Sequence, residues 1–282
     1  MNTDSRDAAD GGVDTGEVDR LICEGLAPVA LSADRHAGLR ARLLQRAGES
    51  ASRLAGLLTV RSGEGTWTRV KAGVRAKILH RGRQGASVLI EFAPGASLPV
   101  HRHRQLEEGI ILRGSLQLGE LDLVAGDYHV SPAGSRHGRI AARQGGLAYL
   151  RGTSLGQTSA VLGELLGALV PGRGPAIRTI PASEEGWQLV AAGVETKLLY
   201  QDGDLVSRFV RLAPGGVLPA HRHSAEEECL MLTGDAFLGD LLLTPGDFHL
   251  APAGSEHGDV SSDGGALFFV RGQAEFLALT SP

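Results

Sequence analysis

The chain repeats itself. The segment PGASLPVHRHRQLEEGIILRG, which begins at Pro94, returns 120 positions later as PGGVLPAHRHSAEEECLMLTG, beginning at Pro214. The same offset relates Trp67 to Trp187, Gly73 to Gly193, Lys77 to Lys197, Gly126 to Gly246, Pro132 to Pro252, His137 to His257 and Arg151-Gly152 to Arg271-Gly272. A one-residue slip is expected near Gly145-Gly146 and Gly264-Gly265, recovered soon after, as a loop of altered length would produce. Solenoid repeats run to roughly 50 residues, so a unit this long is a domain, and the 282 residues hold two copies of it.

Within each copy, short apolar runs alternate with turn signals. Ser87–Phe92 precedes Ala-Pro-Gly, Gly109–Leu112 precedes Arg-Gly, and Tyr128–Ser131 precedes Pro-Ala-Gly; Leu147–Leu150 is another such run. These lengths suit strands, and their even spacing suits a sandwich or barrel. The 40 glycines, with no low-complexity tract, call for many tight turns. The expected organisation is an acidic disordered tail (1–20), a helical N-terminal segment (21–60), a first domain (61–153), a helical linker (154–181) and a second domain (182–282). Ser32 is placed to cap a helix running to about Leu58, with Leu39, Leu43, Leu44, Ala47, Leu54, Leu57 and Leu58 on a broken apolar face. That helix is expected to pack on the first domain, or else to meet a partner. A second helix is expected over about Thr158–Leu169.

Composition narrows the function. Two cysteines, Cys23 and Cys229, exclude a disulfide framework and most thiolate clusters. A net charge of −4 excludes a strongly basic nucleic-acid footprint. No apolar run is long enough to cross a membrane, and the acidic N-terminus lacks a signal sequence, so a cytoplasmic protein is expected.

Eight of the ten histidines fall within 101–137 and 221–257. Copy one reads Gly95-x5-His101-x-His103-x3-Glu107-x6-Gly114, then Gly126-x5-Pro132-x-Gly134-x2-His137. Copy two repeats it with His221, His223, Glu227 and His257. Residues i and i+2 of a strand share a face, so each His-x-His aims two imidazoles at one lumen. A turn then returns a glutamate beside them, and the Pro-x-Gly turn delivers a third histidine. Adjacent strand residues face opposite ways, so only one phase of the glutamate run can point inward; Glu108, Glu226 and Glu228 compete with Glu107 and Glu227. Three imidazoles and a carboxylate suit one divalent transition metal per domain (Zn, Fe, Mn or Ni), with net charge +1 and room for a small-molecule ligand in the barrel. His129 and His249, paired by the repeat, read first as packing or surface residues and Cys229, two residues beyond Glu227, as a small core residue; all three are also candidates to line the pocket. Arg102 and Arg222 should point away from the lumen, while His80 and His36 read as structural or solvated.

These strings resemble the two motifs of the cupin superfamily, over about 62–153 and 182–275. The resemblance implies an all-β chain of two tandem cupin barrels (double-stranded β-helix, jelly-roll) with an N-terminal helix, and it selects Glu107 and Glu227 as ligands. The asparagine that usually closes the second motif is replaced by Ala141 and Ser261. The wider pattern is Trp-x5-Gly-Val-x3-Lys at Trp67 and Trp187, then Gly-Asp-(Tyr/Phe)-His and Pro-Ala-Gly-Ser-x-His. It is similar to the cupin domain of ChrR-type anti-sigma factors, as are Leu21–Ala30 and Gly38–Leu44 upstream. That resemblance implies a regulatory role and an ECF-type sigma factor as partner. The family's sigma-binding zinc site, however, needs a Cys-x2-Cys pair, and the first 60 residues offer only Cys23 and His36. Two functions follow: a non-catalytic metal-binding sensor, or an Fe-dependent dioxygenase acting on a small oxygenated compound such as a diketone. A sugar-binding or isomerase bicupin ranks lowest, since aromatics are only 4%. Cupins often pair through strand edges, so a homodimer is also expected.

Overall fold

The structure is a computed structural model that describes residues 15–26, 31–155, 174–183 and 185–273. The expected linker helix and most of the expected tail lie outside these residues. Residues 15–20, expected in the disordered tail, instead belong to α1 (Thr15–Gly25). Helix α2 (Ala33–Arg53) starts as its cap predicts, with the Arg35 amide donating to Ser32 Oγ at 3.4 Å. It stops five residues short of the expected Leu58. Gly56 adopts φ +86°, a left-handed conformation that a helix does not propagate through, and Leu58–Val60 is already a strand. Among the described residues no helix is long and apolar enough to cross a membrane.

The remainder forms two antiparallel jelly-roll barrels, as the cupin resemblance implies. The offset of 120 holds throughout. Gly146 opposes Phe92 and Ala266 opposes Leu212, while Gly145 and Gly265 share positive φ values of +88° and +94°. The expected one-residue slip is therefore corrected: both copies make the same turn with the same residue count.

Strand alternation explains why these runs read as continuously apolar. In Gly85–Phe92, Ile90 and Phe92 enter the interior of the first barrel, whereas Leu89 faces the second. The core between the barrels comprises Leu79, Leu89, Ile110, Tyr128, Val130 and Tyr149 together with Leu199, Phe209, Leu230, Phe248, Leu250 and Phe269. The second six are the first six displaced by 120. The repeats thus meet through the same face, as subunits of a symmetric dimer do.

The barrels also exchange strands. Leu58–Val60, which precedes copy one, pairs with Phe248–Ala251 of the second barrel. Arg178–Ile180, which precedes copy two, pairs with Tyr128–Ser131 of the first. The Gly-Asp pairs secure this exchange. Asp127 accepts from the amides of Val124 (2.9 Å) and Ala182 (2.8 Å). Asp247 accepts from those of Thr244 (3.0 Å) and Ser62 (2.7 Å), and from Arg61 Nη1 (2.9 Å). At Gly126 a Cβ would lie 2.8 Å from the Ala182 Cβ, so the incoming chain needs a glycine there. The buried lysines fasten the segment beyond: Lys77 Nζ donates to the carbonyls of Ser62 (2.8 Å) and Glu64 (2.7 Å), and Lys197 Nζ to those of Pro181 (3.2 Å) and Ser183 (3.1 Å).

Candidate metal centres

Each centre is assembled from three chain segments. In the second barrel His221 opposes His257 in a two-residue ladder, His223 follows at i+2, and Glu227 opens the next long strand, Glu227–Gly234. One ligand atom from each of His221, His223, Glu227 and His257 falls within a 4.8 Å cluster. In the first barrel His101 opposes His137, and His101, His103 and His137 form the corresponding cluster. Glu107 stands outside that set, with Oε1 3.8 Å from His103 Nδ1. Its counterpart Glu227 keeps the same 3.8 Å to His223 Nδ1.

The residues fit a metal. His103 Nε2, His137 Nδ1 and His223 Nε2 are buried and have no hydrogen-bond partner among the described residues. A buried polar nitrogen left without a partner costs about 1–3 kcal/mol, a cost that a coordinated cation removes. The outer ring nitrogens are engaged: His101 Nδ1 and His221 Nδ1 each lie 3.1 Å from a proline carbonyl (Pro99, Pro219), His137 Nε2 lies 2.8 Å from Ser131 Oγ, and His257 Nδ1 lies 2.9 Å from the Gly258 carbonyl. Such contacts fix ring orientation at metal sites.

Burial, then the neighbouring imidazoles, lowers His103 and His223 to about 3 and His137 to about 2, so these rings are neutral donors at pH 7. Burial raises Glu227 to about 7, against the opposing charge of Arg208.

His129 and His249 lie buried on the strands that receive the exchanged segments. His129 Nδ1 is 2.8 Å from Thr179 Oγ1, and His249 Nδ1 is 2.9 Å from Thr59 Oγ1. Each Nε2 is buried without a partner among the described residues, and the His129 ring packs edge-on 5.3 Å from that of His137. The threonines escaped the sequence reading, although Thr59 and Thr179 obey the repeat offset just outside the segments chosen as domains. Cys229 is buried beside His249 in register; burial raises its thiol, and Glu227 adds to the shift, so it is a core thiol rather than a reactive thiolate.

The competing glutamates separate by strand phase. Glu108 and Glu228 point between the barrels and are almost fully buried there. Glu108 Oε2 lies 3.1 Å from Arg271 Nη1, and Tyr128 donates to Glu108 Oε1 at 2.5 Å. Glu228 accepts from Arg151 Nε (2.9 Å), Tyr149 (2.9 Å) and Ser87 (2.5 Å). Each Glu-Glu pair thus serves two sites, with its first member at the lumen and its second in the joint. Glu226 sits at the surface, 3.8 Å from His80 Nε2. Arg102 turns outward, donating to the Gly134 carbonyl at 2.8 Å.

The sequence profile of the ChrR cupin-like domain matches residues 55–154 and 177–275, ranges that take in both exchanged strands. No curated protein matches the chain in sequence. Among solved structures, a candidate dioxygenase of Nostoc punctiforme is similar at a TM-score of 0.61 and 20% identity, over 76% of this chain and 81% of that one. Oxalate decarboxylase of Bacillus subtilis is similar at 0.54 and 18%, over 77% of each. At such identities these likenesses concern the fold alone. The chain belongs to the ChrR cupin-like domain family, and carries two copies of its domain.

Proposed function

We propose that this chain is a metal-binding sensor bicupin, related to the cupin half of ChrR-type regulators, with no Cys-x2-Cys pair in its first 60 residues. The observation that carries it is the pair of histidine-rich clusters, in which His103 Nε2, His137 Nδ1 and His223 Nε2 are buried without a hydrogen-bond partner among the described residues, within a family match covering both repeats. Each cluster would hold one divalent ion; Zn, Fe, Mn and Ni all suit the donors. Bound there, the metal supplies a Lewis-acid centre for a small ligand. The chain's own residues keep the imidazoles neutral, orient them through carbonyl and hydroxyl contacts, and exclude bulk water by burial. In this reading α2, with Leu39, Leu43 and Leu44 exposed, meets a protein partner, an ECF-type sigma factor being one candidate. Co-purification of the tagged full chain from its native cell tests it: a specific stoichiometric partner supports the sensor reading, and recovery of none opposes it.

A second reading has its own support. The first barrel contains a cavity reaching its cluster, and a candidate dioxygenase shares the fold. Oxygen uptake by the Fe(II)-loaded chain across a panel of diketones would favour a dioxygenase; tightly held Zn and no turnover would oppose it.

A further inference from the structure

The barrels share their ligand pattern but not their interiors. The first contains a cavity of about 260 Å³ whose lining is mainly apolar (Val70, Ile90, Leu98, Ile140 and Leu150 among them), with Lys71, His101, Glu107 and Thr153 as its polar members. A narrower void of about 40 Å³ shares Ile90, Leu98, Glu107, Ile140 and Leu150 with it and continues past Gly109 and Ala148 to His129 and His137.

Deeper in, past the mouth of that cavity, the second barrel carries bulk where the first is open. Gly109 becomes Cys229, Ile111 becomes Met231 and Ala148 becomes Phe268, and these three pack in one cluster, each no more than 8% exposed. Val88 becomes Arg208. Ser207 contacts Arg271 and Phe209 joins the core between the barrels, so Arg208, between them, faces its own lumen, 2% exposed, where it electrostatically opposes the burial of Glu227. Six exchanges run the other way: Phe92 to Leu212, Leu116 to Ala236, Ala96 to Gly216, Ile90 to Val210, Ile140 to Val260 and Leu150 to Val270. The added bulk is therefore local to the deep end beside the ligands, and the cluster that holds Leu212 and Ala236 also holds Phe268. The ligand shells differ in the same sense: four ligand atoms gather in the second barrel, but only the three imidazoles in the first. A closed set with a filled surround marks a structural metal site, whereas an incomplete set opening on a cavity marks a ligand-accepting one.

We propose that the barrels have divided the work. The first receives a small, largely apolar molecule that presents one anionic oxygen terminus to the metal cluster, where His129 Nε2 meets it; the second holds its metal in a filled interior and takes no such ligand. The apolar lining selects the body of the molecule. A divalent ion held by the three imidazoles, with Glu107 beside the cluster, leaves a local net charge of +1, which selects the terminus. Thr179, through Nδ1, fixes the direction in which the His129 ring meets that terminus.

The inference rests on the clusters holding metal, so metal content is measured on the same samples. Benzoate, a ring with one carboxylate, is the probe, titrated calorimetrically into the metal-loaded full chain. The expected result is one benzoate and two metals per chain. Ala148→Phe should weaken benzoate at least tenfold while both metals stay; Ile90→Phe repeats the test if the first variant does not fold. Phe268→Ala combined with Cys229→Gly should raise the stoichiometry towards two. Two benzoates per wild-type chain, none with both metals bound, or unchanged binding in the cavity-filling variants would overturn the division. A chain without metal would instead overturn the reading beneath it, and the metal count tells the two failures apart.

Discussion

Thr179 Oγ1 lies 2.8 Å from His129 Nδ1, so a threonine from the start of the second repeat sets the direction of a histidine inside the first barrel. Thr59 and His249 form the reciprocal contact at 2.9 Å. Neither barrel is complete from its own repeat. Replacing Thr179 by Val leaves a buried ring nitrogen without its partner and should cost about 1–3 kcal/mol in a denaturant melt. Thr179→Ser should restore most of it. Equal stability of the Val variant and wild type would show that the contact contributes nothing.

The joint between the barrels depends on buried charge. Arg271 is 2% exposed and Glu108 1%, so removing Arg271 leaves the Glu108 carboxylate in a low-dielectric interior with only the more distant Arg151, at 3.7 Å, as counter-charge. Arg271→Met should destabilise the chain by about 3–5 kcal/mol. Combining it with Glu108→Gln should recover part of that loss, because the carboxylate left with only the more distant Arg151 is then gone. A single-variant effect below about 1 kcal/mol would place the network among weak ion pairs.

Much of this was legible in the sequence, and for identifiable reasons. Metal-ligand spacing is local, and strand alternation ties His101 to His103, so the clusters could be read from a pattern of two. The symmetric core was legible from the offset. The exchange of strands was not: Leu58–Val60 has ordinary strand composition, and which barrel it joins is decided by Asp247 and Gly246, some 190 positions away. Helix α2 was overextended because Leu54, Leu57 and Leu58 continue its apolar period, while Gly56, the stop signal, sits among them. Local spacing does not separate Glu107 from Glu108; they part only when the second barrel supplies Arg271 for Glu108.

In the second barrel, Glu227 ionises near pH 7 when no metal is bound, because burial opposes its charge. Below that pH the metal must displace a proton, so affinity should fall by up to about tenfold per pH unit. His223, neutral down to about pH 3, adds nothing to this slope above pH 4. Chelator competition between pH 8 and 6 should show the weakening, and Glu227→Gln should flatten it. A pH-independent affinity in the wild type would contradict the burial of this carboxylate.

Acid should unfold the metal-free chain. His103 and His223 are lowered to about 3, His129 and His249 to about 4, and His137 to about 2, from an ordinary value of 6.5. Between pH 6.5 and about 4 the unfolded chain therefore binds more protons than the folded one, and stability drops as pH falls, by up to about 1.4 kcal/mol per unit for each histidine. Glu227 has the opposite sign, contributing stability below about pH 4.5 that is lost as pH rises through 7, but one group is outweighed by five. Urea melts of the metal-free chain should show several kcal/mol less stability at pH 5 than at pH 7; equal midpoints would contradict the buried, neutral state of these rings.

The central claim is that both repeats hold a metal. Elemental analysis of the full chain, purified without added metal, tests it most directly alongside a variant carrying His101→Ala and His103→Ala. Two divalent transition-metal ions per wild-type chain and one per variant chain are expected. A wild type with none, or a variant that still holds two, would contradict the account.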